Sequence, residues 1–137
     1  MNDIDYSKNP GKPISWDTAN KTFNEWWNAE KFDWNNSWAL SEYCSDHFEK
    51  WWDSKRFDWE DSYALAIYCS DKFNIWWDSD KFDWNESWCL AEYCPEHFEK
   101  WWDPEKFGWN DSWVLAEYCQ EYKDIWGPDY VYHKVTL

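Results

Sequence analysis

Apolar and polar positions along this chain recur every 25 residues. Setting 23–47, 48–72, 73–97 and 98–122 under one another, with no insertion, aligns Phe23, Phe48, Phe73 and Phe98. The pairs Trp26 and Trp27, Trp51 and Trp52, Trp76 and Trp77, and Trp101 and Trp102 follow at constant offset. Then come Phe32, Phe57, Phe82 and Phe107, and Trp34, Trp59, Trp84 and Trp109. Each unit closes with an aromatic (Trp38, Tyr63, Trp88, Trp113), a leucine (Leu40, Leu65, Leu90, Leu115), a tyrosine (Tyr43, Tyr68, Tyr93, Tyr118) and a cysteine (Cys44, Cys69, Cys94, Cys119). A fixed period of this length is the signature of a repeat architecture.

Inside a unit the spacing is helical. Phe48, Trp51 and Trp52 stand at i, i+3 and i+4, and Leu40, Tyr43 and Cys44 repeat that pattern, so each set shares one helix face. Period-2 alternation is absent from every unit, which argues against strands. Ser45 or Pro95 supplies a start signal for the opening helix, and Asn35 or Asn36 is available to cap the closing one. Between them "DPEKF" reads as a single turn of 3₁₀ character, with Asp103 as cap and Pro104 at the first helical position. Two helices of about two turns each are too short to persist alone and must stack.

The expected fold is therefore all-α: a right-angled or gently curved α-solenoid of four two-helix repeats. Residues 1–22 form an N-terminal arm and capping helix, 23–122 the repeats, and 123–137 a C-terminal cap and tail. Ser41, Ala66, Ala91 and Ala116, with Ala39, Ala64, Cys89 and Val114, leave room for large rings from a neighbouring unit. At an interaxial spacing of about 10 Å, four units make a rod or shallow arc of roughly 40 Å. At the ends, residues 1–13 are expected to be loose and "SWDTANKTF" to form a helix with Trp16 turned inward. Gly127 and Pro128 are expected to stop a fifth opening helix after Trp126. The segment "DYVYHKVTL", with Tyr130, Tyr132 and Val135, would then lie extended over the last unit.

The pattern "FxxWWDxxKFDWxxSWxLAEYC" resembles the tryptophan-rich tandem repeats of bacterial and phage proteins, over residues 23–126. In unit size it is also similar to leucine-rich-variant and HEAT-like helical repeats. The resemblance implies the solenoid and brings no activity or catalytic residue with it.

Composition explains how such a fold has a core. Seventeen Trp, nine Tyr and eight Phe make 25% of the residues aromatic, while Leu, Ile and Val are scarce, so the core must be built of rings. Mean hydropathy is −1.03, a value shared with disordered chains, but those are poor in aromatics. The five Cys recur by repeat position. Equivalent atoms about 10 Å apart exceed the ~7 Å reach of a disulfide and of a shared tetrahedral metal site, so buried, reduced thiols are expected. The run "MNDIDYSKNPGKPISW" lacks the features of a signal peptide and no apolar run has the length of a membrane span, so a cytoplasmic location is expected.

The formal net charge of −15 falls entirely between residues 23 and 122, because the flanking segments each balance. That field disfavours nucleic acid and anionic membrane as direct ligands and favours basic surfaces. The carboxylates concerned are Asp53, Asp58, Glu60 and Asp61 in the second unit and Asp78, Asp80, Asp83, Glu86 and Glu92 in the third. In the fourth they are Glu99, Asp103, Glu105, Asp111 and Glu117. The EF-hand spacing is missing and Gly108 replaces the aspartate in the fourth unit, so helix caps account for many of these groups better than a metal does. His47 and His97 share a position that Lys72 and Tyr122 fill elsewhere, which does not fit a catalytic residue. Ile67 and Ile75 replace charged residues and mark either a contact patch or a packing adjustment between units.

These readings converge on a non-enzymatic protein with no cofactor and no metal, monomeric or weakly oligomeric, that binds a basic protein surface. Duplex DNA carries one charge per ~1.7 Å of axis, or about 24 over 40 Å. The repeats carry 23 acidic and 8 basic residues, the same order of charge. The sharpest expectation is a nucleic-acid mimic, encoded by a phage or mobile element, that occupies the basic groove of a defence nuclease. The alternatives are an immunity or scaffold protein with a non-nuclease partner, and a glycan-binding module that uses exposed rings. Solubility alone would account for the magnitude of the charge, though not for its sign.

Overall fold

The computed structural model describes residues 11–136, with side chains through Tyr132. Each unit pairs a one-turn helix with a longer closing helix. The one-turn helices are α1 (Phe23–Trp26), α3 (Phe48–Trp51), α5 (Phe73–Trp76) and α7 (Phe98–Trp101). The closing helices are α2 (Ser37–Tyr43), α4 (Ser62–Tyr68), α6 (Trp88–Tyr93) and α8 (Trp113–Tyr118). A final helix, α9, covers Lys123–Thr136. The closing helices pack in succession, α2 on α4, α4 on α6 and α6 on α8. The chain is an all-α solenoid of tryptophan-rich helix pairs with a cap at each end.

Rings do fill the core. Trp26, Trp51, Trp76 and Trp101 and the Phe that opens each unit are fully buried, together with Leu40, Leu65, Leu90 and Leu115. Burying 150–250 Å² of a Trp contributes roughly 4–6 kcal/mol of hydrophobic driving force. The indole N–H needs a partner there, and the same one recurs: Trp51, Trp76, Trp101 and Trp126 donate to the carbonyls of Cys44, Cys69, Cys94 and Cys119 at 2.7–2.8 Å. Those cysteines end the closing helices, so one bond satisfies both a buried donor and a helix-terminal carbonyl.

The second Trp of each pair ends the one-turn helix. Trp52 leaves helical geometry at φ −62°, ψ 126°. Its ring stacks on Phe48 (5.4 Å, 13°) and meets Trp59 edge-on (5.7 Å, 81°). Trp27, Trp77 and Trp102 repeat the arrangement. Ring packing, rather than a glycine or proline, stops these helices.

Several expectations about local structure are corrected. The opening helices have one turn each rather than two, preceded by 3₁₀ turns such as Ser45–His47 and Pro95–His97. Asp103 caps its turn through Glu105 N–H, and its carbonyl accepts both Lys106 N–H (3.1 Å, the 3₁₀-type bond) and Phe107 N–H (2.9 Å), so "DPEKF" is a single turn of mixed 3₁₀ and α character. The 3₁₀ segments of the second half lie later, at Trp34–Asn36, Trp59–Asp61, Trp84–Glu86 and Trp109–Asp111. Asn35 and Asn36 do not cap α2; the Asp33 carboxylate caps the preceding 3₁₀ turn through Asn35 N–H. Before α1, Ser15 caps a 3₁₀ turn at Trp16–Thr18 rather than a helix, and Trp16 turns inward onto Trp26 and Tyr43.

The termini differ most from expectation. Residues 1–10 lie outside the described residues, and 11–13 are packed rather than loose. Gly11 and Pro13 are buried and Gly11 N–H bonds to the Trp26 carbonyl. At φ 84°, Gly11 holds its Cα so close to Lys31 that any Cβ would meet that backbone at 2.7 Å. Gly127 and Pro128 do not stop α9, and Tyr130 and Tyr132 are helical rather than extended; Val135 lies on the same helix, with its side chain outside the described set. No second Trp is present to leave the helix at 127, and continuing it brings Tyr130 against Trp126 and Trp109 (6.1 and 6.5 Å). That packing offsets the single backbone bond lost at Pro128.

Candidate functional site: the acidic exterior

With the rings inside, the acidic residues divide by role. Asp53, Asp78 and Asp103 shape the linking turns, each accepting a backbone N–H two residues on. Asp58 and Asp83 cap the following 3₁₀ turns in the same way, where Gly108 has no side chain to do so. Asp61 reaches back one unit to accept Trp38 N–H at 3.1 Å. Burial pushes the Asp61 carboxyl above its ordinary range, the Trp38 bond pulls it part of the way back, and Asp58 and Glu60 add repulsion. Glu86 accepts the Trp88 indole N–H at 2.9 Å. These seven carboxylates carry structural bonds as well as charge.

The remainder face outward. Glu60, Asp80, Glu99, Glu105 and Glu117 are exposed, and Asp111 is half-buried. Partial burial raises the Tyr93 and Tyr118 hydroxyls above their ordinary range, and the neighbouring Glu92 carboxylate adds to it. The two isoleucines separate. Ile67 is half-buried against the core, whereas Ile75 is 54% exposed on α5.

One repeat position is acidic in all four units: Asp46, Asp71, Glu96 and Glu121. All four are exposed, one per 3₁₀ turn at the unit junctions. Sequence reasoning passed over this row because it weighed clusters within a unit; the invariant sign at a spacing of 25 residues was the signal available. A usual interaxial spacing of about 10 Å would set neighbours in the row roughly three base-pair steps of ~3.4 Å apart.

A second position is basic in all four units, Lys31, Arg56, Lys81 and Lys106, and the last three of these reach into the preceding unit. Arg56 bonds the Ala29 carbonyl and pairs with Glu30 at 2.7 Å, which holds its guanidinium protonated more firmly than usual. Lys106 reaches the Ser79 carbonyl and Asp80 (3.3 and 3.5 Å). Lys81 and Lys106 also lie over the rings of Trp59 and Trp84. Lys72 pairs with Glu49 at 2.9 Å. Arg56, Lys81 and Lys106 therefore tie the second, third and fourth units to the one before, whereas the Lys72–Glu49 pair lies within the second unit. Among the described residues, no lysine or arginine pairs with the acidic row.

The histidines and cysteines are absorbed by packing. His47 stacks on Phe23 (4.5 Å, 7°), His97 on Phe73 (4.4 Å, 5°), and Tyr122 does the same on Phe98 (4.6 Å, 10°). All five cysteines are buried and unpaired. Burial pushes the Cys44, Cys69, Cys94 and Cys119 thiols up to about 12, and that of Cys89 higher still, which suppresses the nucleophilic thiolate. Among the described residues no helix is long and apolar enough to cross a membrane, and no group of three or more His, Cys, Asp or Glu is arranged to hold a metal ion. No protein-family model matches this chain, and comparisons with curated proteins and with solved structures give no significant match.

Proposed function

We propose that this chain is a non-enzymatic binding protein whose acidic row engages the basic surface of another protein. The observation that carries the reading is the asymmetry between the two invariant charge rows: Arg56, Lys81 and Lys106 reach into the preceding unit, whereas Asp46, Asp71, Glu96 and Glu121 stay exposed and, among the described residues, form no ion pair with a lysine or arginine. A row of carboxylates about 10 Å apart on a short rod suits a groove that otherwise holds a phosphate backbone. The most concrete partner is a nucleic-acid-handling enzyme such as a defence nuclease, blocked by a mimic of its substrate. Resemblance to tryptophan-rich repeats of phage and bacterial proteins is in keeping with that role, as is a cytoplasmic location. Burial of Trp26, Trp51, Trp76, Trp101 and Trp126, with every other indole but Trp113 at least partly buried, favours this reading over glycan stacking.

The test is capture from a lysate and its salt dependence. Wild-type chain should retain basic, nucleic-acid-binding proteins, with retention falling steeply as salt rises. The combined variant Asp46→Asn, Asp71→Asn, Glu96→Gln and Glu121→Gln should keep its helical circular dichroism and weaken capture by about tenfold or more. Recovery of only neutral or acidic proteins, or binding indifferent to salt, would remove the reading.

A further inference from the structure

The outer side of each closing helix meets the next unit through the same contacts. The hydroxyls of Ser37, Ser62 and Ser87 accept the backbone N–H of Asp58, Asp83 and Gly108 at 2.8–2.9 Å. The carbonyls of Ser41, Ala66 and Ala91 receive the thiols of Cys69, Cys94 and Cys119 at 3.7–4.0 Å. In the fourth unit the corresponding residues, Ser112 just ahead of α8 and Ala116 on it, line an open groove of about 610 Å³ whose far wall is α9. Ala91 is fully buried, whereas Ala116 is exposed. The terminal helix covers only the other half of the unit, where Asp129 accepts the Trp102 indole N–H and Tyr130 packs on Trp109 and Trp126.

We infer that this groove is a self-association surface, through which two copies of the chain meet end to end at their fourth units about a twofold axis. Three features of the patch point to a second copy as its occupant. It carries a knob and a hole side by side: Trp113 projects at the edge of the groove, 59% exposed. It carries both charge signs, Lys123 and Asp124, on the same wall, so the patch has the charge complementarity to itself that a twofold contact can use. And exposed apolar bulk lines it, since Trp113 and Val131, two of the eight exposed large hydrophobic residues among those described, belong to its walls. An isologous contact requires a patch that is complementary to itself, and Trp is the residue most often found at the centre of such contacts. The side of a closing helix that is covered by another closing helix in three junctions is covered here by the α8 of a second copy. No member of the acidic row lines the groove, and only Glu121, beside Gln120, adjoins it.

Sedimentation velocity of the full chain tests it. Dimer should form at concentrations up to about 200 µM and tighten as salt rises to about 0.5 M, because two chains of −15 each must approach. Ala116→Glu, at an exposed position, should leave the circular dichroism unchanged and weaken the dimer at least about tenfold, as should Trp113→Ser. Lys123→Asp should weaken it, and adding Asp124→Lys should restore it. A chain that stays monomeric across that range, or a dimer indifferent to both Ala116→Glu and Trp113→Ser, overturns the inference. Loss of the dimer on Ile4→Asp with Tyr6→Asp would also overturn it, by assigning the groove to the N-terminal segment.

Discussion

Helices α6 and α8 have nearly the same sequence, WCLAEY and WVLAEY, and opposite surroundings on one side. Both bury their leucine completely, because the inner face meets the ring layer of its own unit in either case. On the outer face Trp88 and Ala91 are covered by the fourth unit, whereas Trp113 and Ala116 are not. Local sequence thus sets the inner face, and position in the stack sets the outer one. Interior residues should be equally sensitive in both helices, and outer residues should matter only where a later unit covers them.

The largest effect comes from the shared interior. Leu90→Asp and Leu115→Asp should each abolish the cooperative thermal transition, since an unpaired buried carboxylate costs several kcal/mol or more. Survival of either variant with a normal melting curve would break the claim of a common inner face. Next, Trp76→Ala should cost about 3–5 kcal/mol in urea unfolding, from its lost packing and its bond to the Cys69 carbonyl. Trp113→Ala should shift the monomer by less than about 0.5 kcal/mol. Smaller again, Ala91→Leu should destabilise by about 1–3 kcal/mol through overpacking, and Ala116→Leu should be nearly silent. Equal costs for these two would mean that α8 is covered in the monomer. The finest contrast is Ser87→Ala, expected to cost about 1 kcal/mol as Gly108 N–H loses its acceptor, against a smaller loss for Ser112→Ala.

A similar comparison holds between the opening helices and α9. Trp51 and Trp126 make the same bond to a cysteine carbonyl, yet one helix ends at that Trp and the other runs on to Thr136. The difference is the next residue, Trp52 or Gly127. A large ring with a stack of partners waiting pulls the chain out of helical geometry, and glycine has nothing to place. Reading Gly127 and Pro128 as a stop weighed local propensity and left out the ring packing that ends the other helices.

Much of the fold was legible because it recurs. Four copies of one pattern averaged out local ambiguity, so the ring core, the small residues of the closing helices and the helical class could be read from spacing. Turn detail was not legible in the same way. Which of Asp33, Asn35 and Asn36 caps a turn depends on φ and ψ at that position, and all three residue types are good caps. The acidic row was readable in principle from its invariant sign. The separation of Ile67 from Ile75, one against the core and the other in solvent, needed the helix orientations.

The chain's own residues determine the period, the helical class, the aromatic core and the sign of the surface, because each follows from side-chain chemistry repeated at constant spacing. Tertiary structure alone decided which carboxylates hold the turns and which stay outward, how the basic row is spent, and that one face of α8 is open. Those outcomes depend on which groups meet across unit junctions, and residues about 25 positions apart are brought together only when the units stack.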